Sequence, residues 1–204
     1  VTPGEKALII RPTITLTTVN GTRSSQSKLI VSAEASRDYV AGEDVDMLGE
    51  GNIAEIAQAY SVAGSQAVAL NTTDDIDWMP IGVVADKSRS TNVTVNLNSK
   101  MLRKMNDEGG KLFIYDATSK KFSEIADGMK VQMMANDHGR YYITTSNWVV
   151  PTGINAIRCF SPAQGTIIVA VLNGEVKRAL VYDTAGALVT SSQSTAGERC
   201  QLSV

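Results

Sequence analysis

The strongest constraint on the fold is an alternation of apolar and polar residues over positions 92–98. Val93, Val95 and Leu97 lie at every second position, with polar residues between them. Because successive side chains of a strand point to opposite faces, this period predicts a half-buried β-strand. We expect the three apolar residues to face a core and the intervening polar residues to face outward.

The same strand-and-turn rhythm recurs along the first three quarters of the chain. Segments 13–17 and 28–32 are strand-like, and Asn20-Gly21 begins the loop between them. Asn and Gly accept the positive φ of tight turns, so these segments predict a hairpin. Turn sequences also separate three later strand-like segments, at 111–115, 130–135 and 140–145. Strands at this spacing predict an antiparallel sandwich or barrel, and we expect an immunoglobulin-like sandwich over residues 1–150.

A domain boundary is predicted within residues 148–153, because Pro151 and Gly153 interrupt the chain and new strand-like segments follow. These segments are 165–172, 175–182 and 187–190, and the polar residues 191–197 have the composition of a loop. The sequence therefore predicts an all-β protein of two immunoglobulin-like antiparallel β-sandwich domains, residues 1–150 and 151–204. The second domain is small and is expected to need packing support or a covalent staple.

The two cysteines could provide that staple as a disulfide in a secreted protein, whereas in a cytosolic protein they would be two buried thiols. Cys159 and Cys200 lie in the first and last recognisable strands of the second domain. A sandwich can bring such strands together, so we expect these residues to form a disulfide.

Two short segments have helical spacing instead. In segment 52–60, Asn52 and Glu55 are placed like a capping box. Segment 99–107 is followed by Gly109-Gly110. A single helical turn between strands would satisfy either pattern, so the all-β prediction stands.

Charge and hydropathy argue against a nucleic-acid partner and against a segment that spans a membrane. The net charge is −2, from 19 basic and 21 acidic residues, whereas nucleic-acid surfaces usually carry a clustered basic excess. No apolar run approaches the roughly 18 residues needed to span a bilayer, so no transmembrane segment is predicted.

Catalytic and cofactor motifs are weak. His138 is the only histidine and lies in a predicted turn, where a solvated polar residue is the ordinary expectation. Ser25 and Lys28 match a Ser-x-x-Lys spacing without the accompanying motifs of that enzyme class. We predict no catalytic residues, no cofactor and no metal site.

Two groups of side chains are candidates for binding calcium or a sugar. The acidic segments 43–46 and 74–77 could offer oxygen ligands to calcium, although solvated loop charge is the default. Trp78 and Trp148 could stack on sugar rings, although buried packing is the more ordinary role.

A family resemblance appears in the last quarter of the chain. After an apolar strand the sequence has Val181-Tyr182-Asp183, then Gly186 and Val189. This pattern resembles the hairpin of the C-terminal sorting domain of the bacterial type IX secretion system, found in Bacteroidetes. The Asp183 side chain can cap the turn and Gly186 can take a positive φ. The resemblance covers about residues 152–204.

A weaker resemblance extends upstream over about residues 30–150. Segments 79–83, 112–116, 125–128 and 139–143 are similar to the β-sandwich domain that often precedes such a sorting domain. Family members continue past Gln201-Leu202-Ser203 into further strands, whereas this sequence stops at Val204. We therefore expect one or two strands of the sorting domain to be missing, which would leave an open sheet edge.

The resemblance implies a non-catalytic segment of a secreted or surface-attached bacterial protein. The secretion machinery of the outer membrane would be the partner of the C-terminal domain. The first domain would be a structural or adhesive module, with a glycan or protein ligand as a candidate partner. The alternative is a carbohydrate-binding or accessory module of a secreted hydrolase.

Overall fold

The fold is mostly β. The computed structural model describes residues 10–47, 56–148 and 150–204. Strands hold 54% of the described residues and helices 8%, so the predicted β-rich class is confirmed. The strands are β1 Thr13–Asn20, β2 Arg23–Val31, β3 Val45–Asp46, β4 Gln58–Ala63, β5 Gln66–Thr73, β6 Met79–Val84, β7 Ser90–Leu97, β8 Phe113–Asp116, β9 Lys121–Glu124, β10 Met129–Met134, β11 Tyr141–Thr144, β12 Ile157–Ala163, β13 Thr166–Val171, β14 Val176–Tyr182, β15 Leu188–Gly197 and β16 Arg199–Ser203. The helices are α1, Ser99–Glu108, and a short 3-10 helix, Gly153–Ala156.

The main sheet has the strand order β10-β7-β1-β2-β5-β4-β6-β11-β8-β9. The predicted hairpin is present as β1 and β2, which Gly21 joins with a φ of +60°. The sheet is mixed, because β2 and β5 run parallel from Lys28↔Leu70 to Val31↔Thr73. The purely antiparallel prediction is wrong at this pair, because the long connection from β2 to β5 lets the chain return in the same direction. The immunoglobulin-like arrangement stays a prediction.

The main apolar core lies between the two halves of this sheet. The sheet curls so that β1, β2, β7 and β10 face β4, β6, β8 and β11 across buried side chains. Val93 and Val95 are 0% exposed and Leu97 is 5% exposed, while Asn96 is exposed and Thr94 half-buried. The predicted alternation is thus confirmed.

Helix α1 closes one end of the core with Met101, which is buried. The Asn98 side chain accepts a hydrogen bond from the Met101 amide at 2.8 Å, and Gly109 ends the helix with a φ of +61°. The helical prediction for segment 99–107 is therefore confirmed.

The other predicted helix is wrong where the structure describes it. Residues 48–55, which include Asn52 and Glu55, lie outside the described residues. The end of the segment belongs to β4, which pairs with both β5 and β6. Pairing with a strand on each edge stabilises the extended conformation more than so short a helical pattern stabilises a helix.

A second, smaller layer covers the outside of the main sheet. It consists of β12, β13 and β16, with β13 in the middle. Phe160 and Ile168 pack on Tyr60, and Leu172 packs on Tyr142. Every residue of β4, β6 and β11 is buried, because the core covers one face of these strands and the second layer covers much of the other. The division into two domains near residue 150 stays a prediction.

The predicted disulfide is wrong, since Cys159 and Cys200 are both free thiols. Each is paired in register with Val169, from strands on opposite sides of β13. Their Cα atoms are therefore two strand spacings apart, roughly 9–10 Å. A disulfide needs Cα atoms within about 7 Å. Packing on the main sheet, and not a covalent staple, supports the second layer.

Strands β14 and β15 form a separate two-stranded sheet, the C-terminal hairpin. Its Val176 and Ala179 pack against Cys200 and Leu202 on the outer face of the second layer. The loop predicted for residues 191–197 is wrong, because β15 continues to Gly197. β15 pairs with β14 through backbone hydrogen bonds, which do not require apolar side chains. The polar composition of residues 191–197 therefore gave no indication of a strand.

Within the described residues, no helix combines the length and apolar character that crossing a bilayer requires.

Candidate functional site

The C-terminal hairpin carries all five residues of the family-like pattern, and Asp183 organises its turn. Its Oδ1 accepts hydrogen bonds from the amides of Ala185 and Ala187, at 2.9 and 2.8 Å. The Gly186 amide donates to the Asp183 carbonyl at 3.0 Å, with a φ of +83° at Gly186. The turn chemistry predicted for Asp183 and Gly186 is therefore present.

One face of this hairpin presents apolar side chains to solvent. Tyr182, Leu188 and Leu180 are 55%, 54% and 36% exposed. Val189 is also exposed, at 52%, but it lies at a register irregularity of the hairpin and has no register partner. Tyr182 and Leu188 are register partners, so their side chains share one face. Val181 points the other way and packs against the second layer. The hairpin thus offers a compact apolar patch beside a rigid turn.

The second layer is tied to the main sheet by a chain of ion pairs. Arg199 Nη1 lies 2.6 Å from Asp137 Oδ1, and Arg140 Nη1 lies 3.1 Å from Asp137 Oδ2. Arg140 also binds both carboxylate oxygens of Asp116, each at 2.8 Å. Although burial opposes it, hydrogen bonds from Arg140 and Ser119 hold the pKa of Asp116 below its ordinary value. Sequence reasoning missed this network, whose members are spread over the chain.

The single imidazole lies at the same junction. His138 Nδ1 is 2.9 Å from the hydroxyl oxygen of Tyr60, which is 0% exposed. Burial lowers the pKa of His138 to about 4; Asp137 opposes this shift and Arg199 adds to it. Burial also raises the pKa of Tyr60 above its ordinary value. His138 is thus a neutral, half-buried packing residue near pH 7, and the expectation of a solvated turn residue is wrong.

A cleft of about 550 Å³ opens between the loops of the main sheet and the start of β12. Arg37 and Arg158 lie in it, with Asp38, Asp75 and Asp77. The backbone carbonyl of Trp78 accepts a hydrogen bond from Arg158 Nε at 3.4 Å. Arg37 and Arg158 had no sequence signal, since each is a lone arginine in an ordinary segment.

Trp78 shapes the floor of the cleft in an unusual backbone conformation. Its φ is +53°, which is rare for a bulky residue and costs conformational energy. Its ring is 5% exposed and packs edge-on against Tyr115 and Phe122, with centroids 5.2 and 6.1 Å away. The packing expectation is confirmed for Trp78, whereas Trp148 is 80% exposed.

The acidic segments organise loops. Asp44 is buried, and its carboxylate accepts hydrogen bonds from the amides of Thr72 and Val40 at 2.7 and 2.8 Å. Asp77 Oδ1 accepts from the Thr144 hydroxyl at 2.7 Å and the Thr145 amide at 2.9 Å. Their oxygens are engaged with protein donors, and the default expectation of solvated loop charge is wrong at Asp44, which is buried.

The Ser-x-x-Lys spacing does not bring its side chains together. Ser25 and Lys28 both lie in β2, three positions apart. Residues three apart in a strand point to opposite faces, so the hydroxyl and the ammonium group are on different sides of the sheet.

No family model, curated protein or solved structure matches the chain.

Proposed function

We propose that this chain is a non-catalytic segment of a secreted or surface-attached bacterial protein. In this proposal the main sheet is a structural or adhesive body, and residues 152–204 form a type IX sorting-like domain. The proposal includes two immunoglobulin-like sandwich units that divide near residue 150. A sheet whose two halves face each other across a core is compatible with such a unit.

The observation that carries the proposal is the geometry of the C-terminal hairpin. The residues that resemble the sorting domain lie on a separate two-stranded sheet with a defined turn and an exposed apolar face. A segment read by another protein must present side chains outward on a rigid support, and exposed apolar patches often mark interaction sites. The hairpin meets both conditions.

The position of His138 supports a non-catalytic role. A histidine base needs its imidazole to face a substrate or a nucleophile. Here Nδ1 is bonded to Tyr60, and the ring lies at the junction of two layers. Its pKa of about 4 leaves it a poor proton acceptor near neutral pH.

Export of the full chain tests this proposal. The chain would carry a cleavable export leader and be produced in a bacterium with a working type IX system, and in a matched strain without it. Surface exposure would be measured by protease digestion of intact cells. We expect digestion only in the competent strain, and retention of a variant with Asp183→Ala and Tyr182→Ser.

Asp107→Ala is the matched control, because Asp107 is exposed on α1, far along the chain from the hairpin. This variant should be exported like the unmodified chain. Retention of the folded, unmodified chain inside competent cells would contradict a sorting role for residues 152–204 by themselves. Equal export of the hairpin variant would contradict the assignment of the signal to these residues.

A further inference from the structure

Arg158 carries a positive charge that no carboxylate contacts directly in the described part of the chain. Its Nη1 donates to the carbonyls of Asn155 and Ile157, at 2.7 and 3.0 Å, and its Nε reaches the carbonyl of Trp78. These contacts fix the guanidinium but supply only partial charges. Among the described residues no carboxylate forms an ion pair with Arg158, and its Nη2 has no hydrogen-bond partner.

The other charged groups of the cleft are already engaged or lie at its rim. Arg37 pairs with Asp75 at 2.8 Å and donates to the Asp77 carbonyl at 2.6 Å. The Asp77 carboxylate is bonded to Thr144 and Thr145 as described, and Asp38 is exposed. Burial, with the charge of Arg37, lowers the pKa of Arg158, and Asp77 and Asp75 act in the opposite direction without contacting it directly. A ligand carboxylate can bind the guanidinium directly, since a guanidinium binds carboxylates strongly through paired N–H groups.

The walls of the cleft indicate what else the ligand carries. Asp38 and Asn155 offer acceptors and donors to hydroxyl groups, while Pro80, Ile154 and Ile157 give short apolar surfaces. A volume of about 550 Å³ is within the ordinary range for small-ligand sites. Hydroxyls, a carboxylate and a small C–H face occur together in a sugar acid.

We propose that this cleft binds a hexuronic acid residue of an acidic saccharide, with the sugar carboxylate on Arg158 Nη2. Asp38 and Asn155 bind the sugar hydroxyls, and Ile154 contacts the ring. The inference rests on the proposed extracellular role, but the two fail separately. Binding is measured with the purified chain, and export is measured in cells.

The test is calorimetric titration of the full chain with digalacturonate, with neutral digalactose and acetate as comparison ligands at equal ionic strength. We expect saturable binding of digalacturonate at least roughly tenfold tighter than that of either comparison ligand, because one charge-assisted pair contributes that much. Equal binding of digalactose, equal binding of acetate, or no binding of digalacturonate would overturn the proposal.

Two variants locate the site. Arg158→Gln should lose the preference for the acidic sugar, whereas Arg103→Gln, at an exposed position on α1, should keep it. Unchanged binding by folded Arg158→Gln would overturn the proposal. Because Arg158 also holds backbone carbonyls, nitrogen-15 NMR of the unmodified chain provides a second measurement. The Nε–H signal of Arg158 should shift on titration and that of Arg103 should not, and equal shifts would overturn the assignment.

Discussion

Asp137 accepts a hydrogen bond from Arg199 at 2.6 Å, which joins the loop before β11 to the last strand of the chain. Both side chains are about three-quarters buried, at 28% and 25% exposed. Asp137 also binds Arg140, so a single carboxylate links the second layer to the main sheet.

Loss of the Asp137 charge is expected to destabilise the protein. Asp137→Asn removes the carboxylate that pairs with Arg199, while Arg140 keeps its pair with Asp116. We expect a loss of about 1–3 kcal/mol in the free energy of unfolding. Urea denaturation measures it. Asp86→Asn is the control, because the Asp86–Arg89 pair lies at the surface and should be worth less than about 1 kcal/mol. Equal losses in both variants would contradict the linking role of Asp137.

Gly82 should not tolerate a side chain. A Cβ atom there would lie 2.4 Å from the Tyr60 hydroxyl oxygen, and the Tyr60 ring is fully buried between two layers. Because the ring cannot move without disturbing His138, Gly82→Ala should cost about 1–3 kcal/mol or more. Gly110→Ala has open space around its Cβ and should change the stability by less than about 0.5 kcal/mol. Thermal unfolding of the two variants provides the comparison.

His138 should make the protein less stable in mild acid. Its pKa is about 4 in the folded chain and about 6.5 when unfolded, so the unfolded state binds more protons between these values. Stability is therefore full above about pH 6.5 and falls as the pH is lowered towards 4, by a few kcal/mol at most. His138→Phe should flatten the unfolding free energy over this window. An unchanged pH slope in that variant would show that His138 titrates normally.

The two thiols should react at different rates. Cys159 is exposed and Cys200 is buried, so a thiol reagent should label Cys159 in the native protein and Cys200 only after unfolding. Burial raises the pKa of Cys159, which should slow its labelling relative to a free thiol. A reducing agent should leave the melting temperature unchanged. A shift on reduction, or resistance of both cysteines to labelling after unfolding without reductant, would indicate a disulfide.

Local signals predicted local structure well. The alternation at Val93 and Val95 identified β7, and Gly109-Gly110 marked the end of α1. Asp183 and Gly186 fixed the turn of the C-terminal hairpin. Each of these depends on residues within a few positions of one another, where backbone geometry and nearby hydrogen bonds decide the outcome.

The sequence could not predict which segments meet. The parallel pairing of β2 with β5, the separation of Cys159 from Cys200, and the isolation of Arg158 in a cleft all depend on how the layers stack.

By itself, the sequence determined a mostly β chain, the positions of many strands, the chemistry of its turns and the end of its longer helix. The tertiary structure alone decided that Tyr60 meets His138 and that Asp137 meets Arg199, across 78 and 62 residues. The physical reason is that strand alternation specifies which face is apolar but not which partner covers it. That choice comes from the combined packing of all layers, which buries β4, β6 and β11 on both faces.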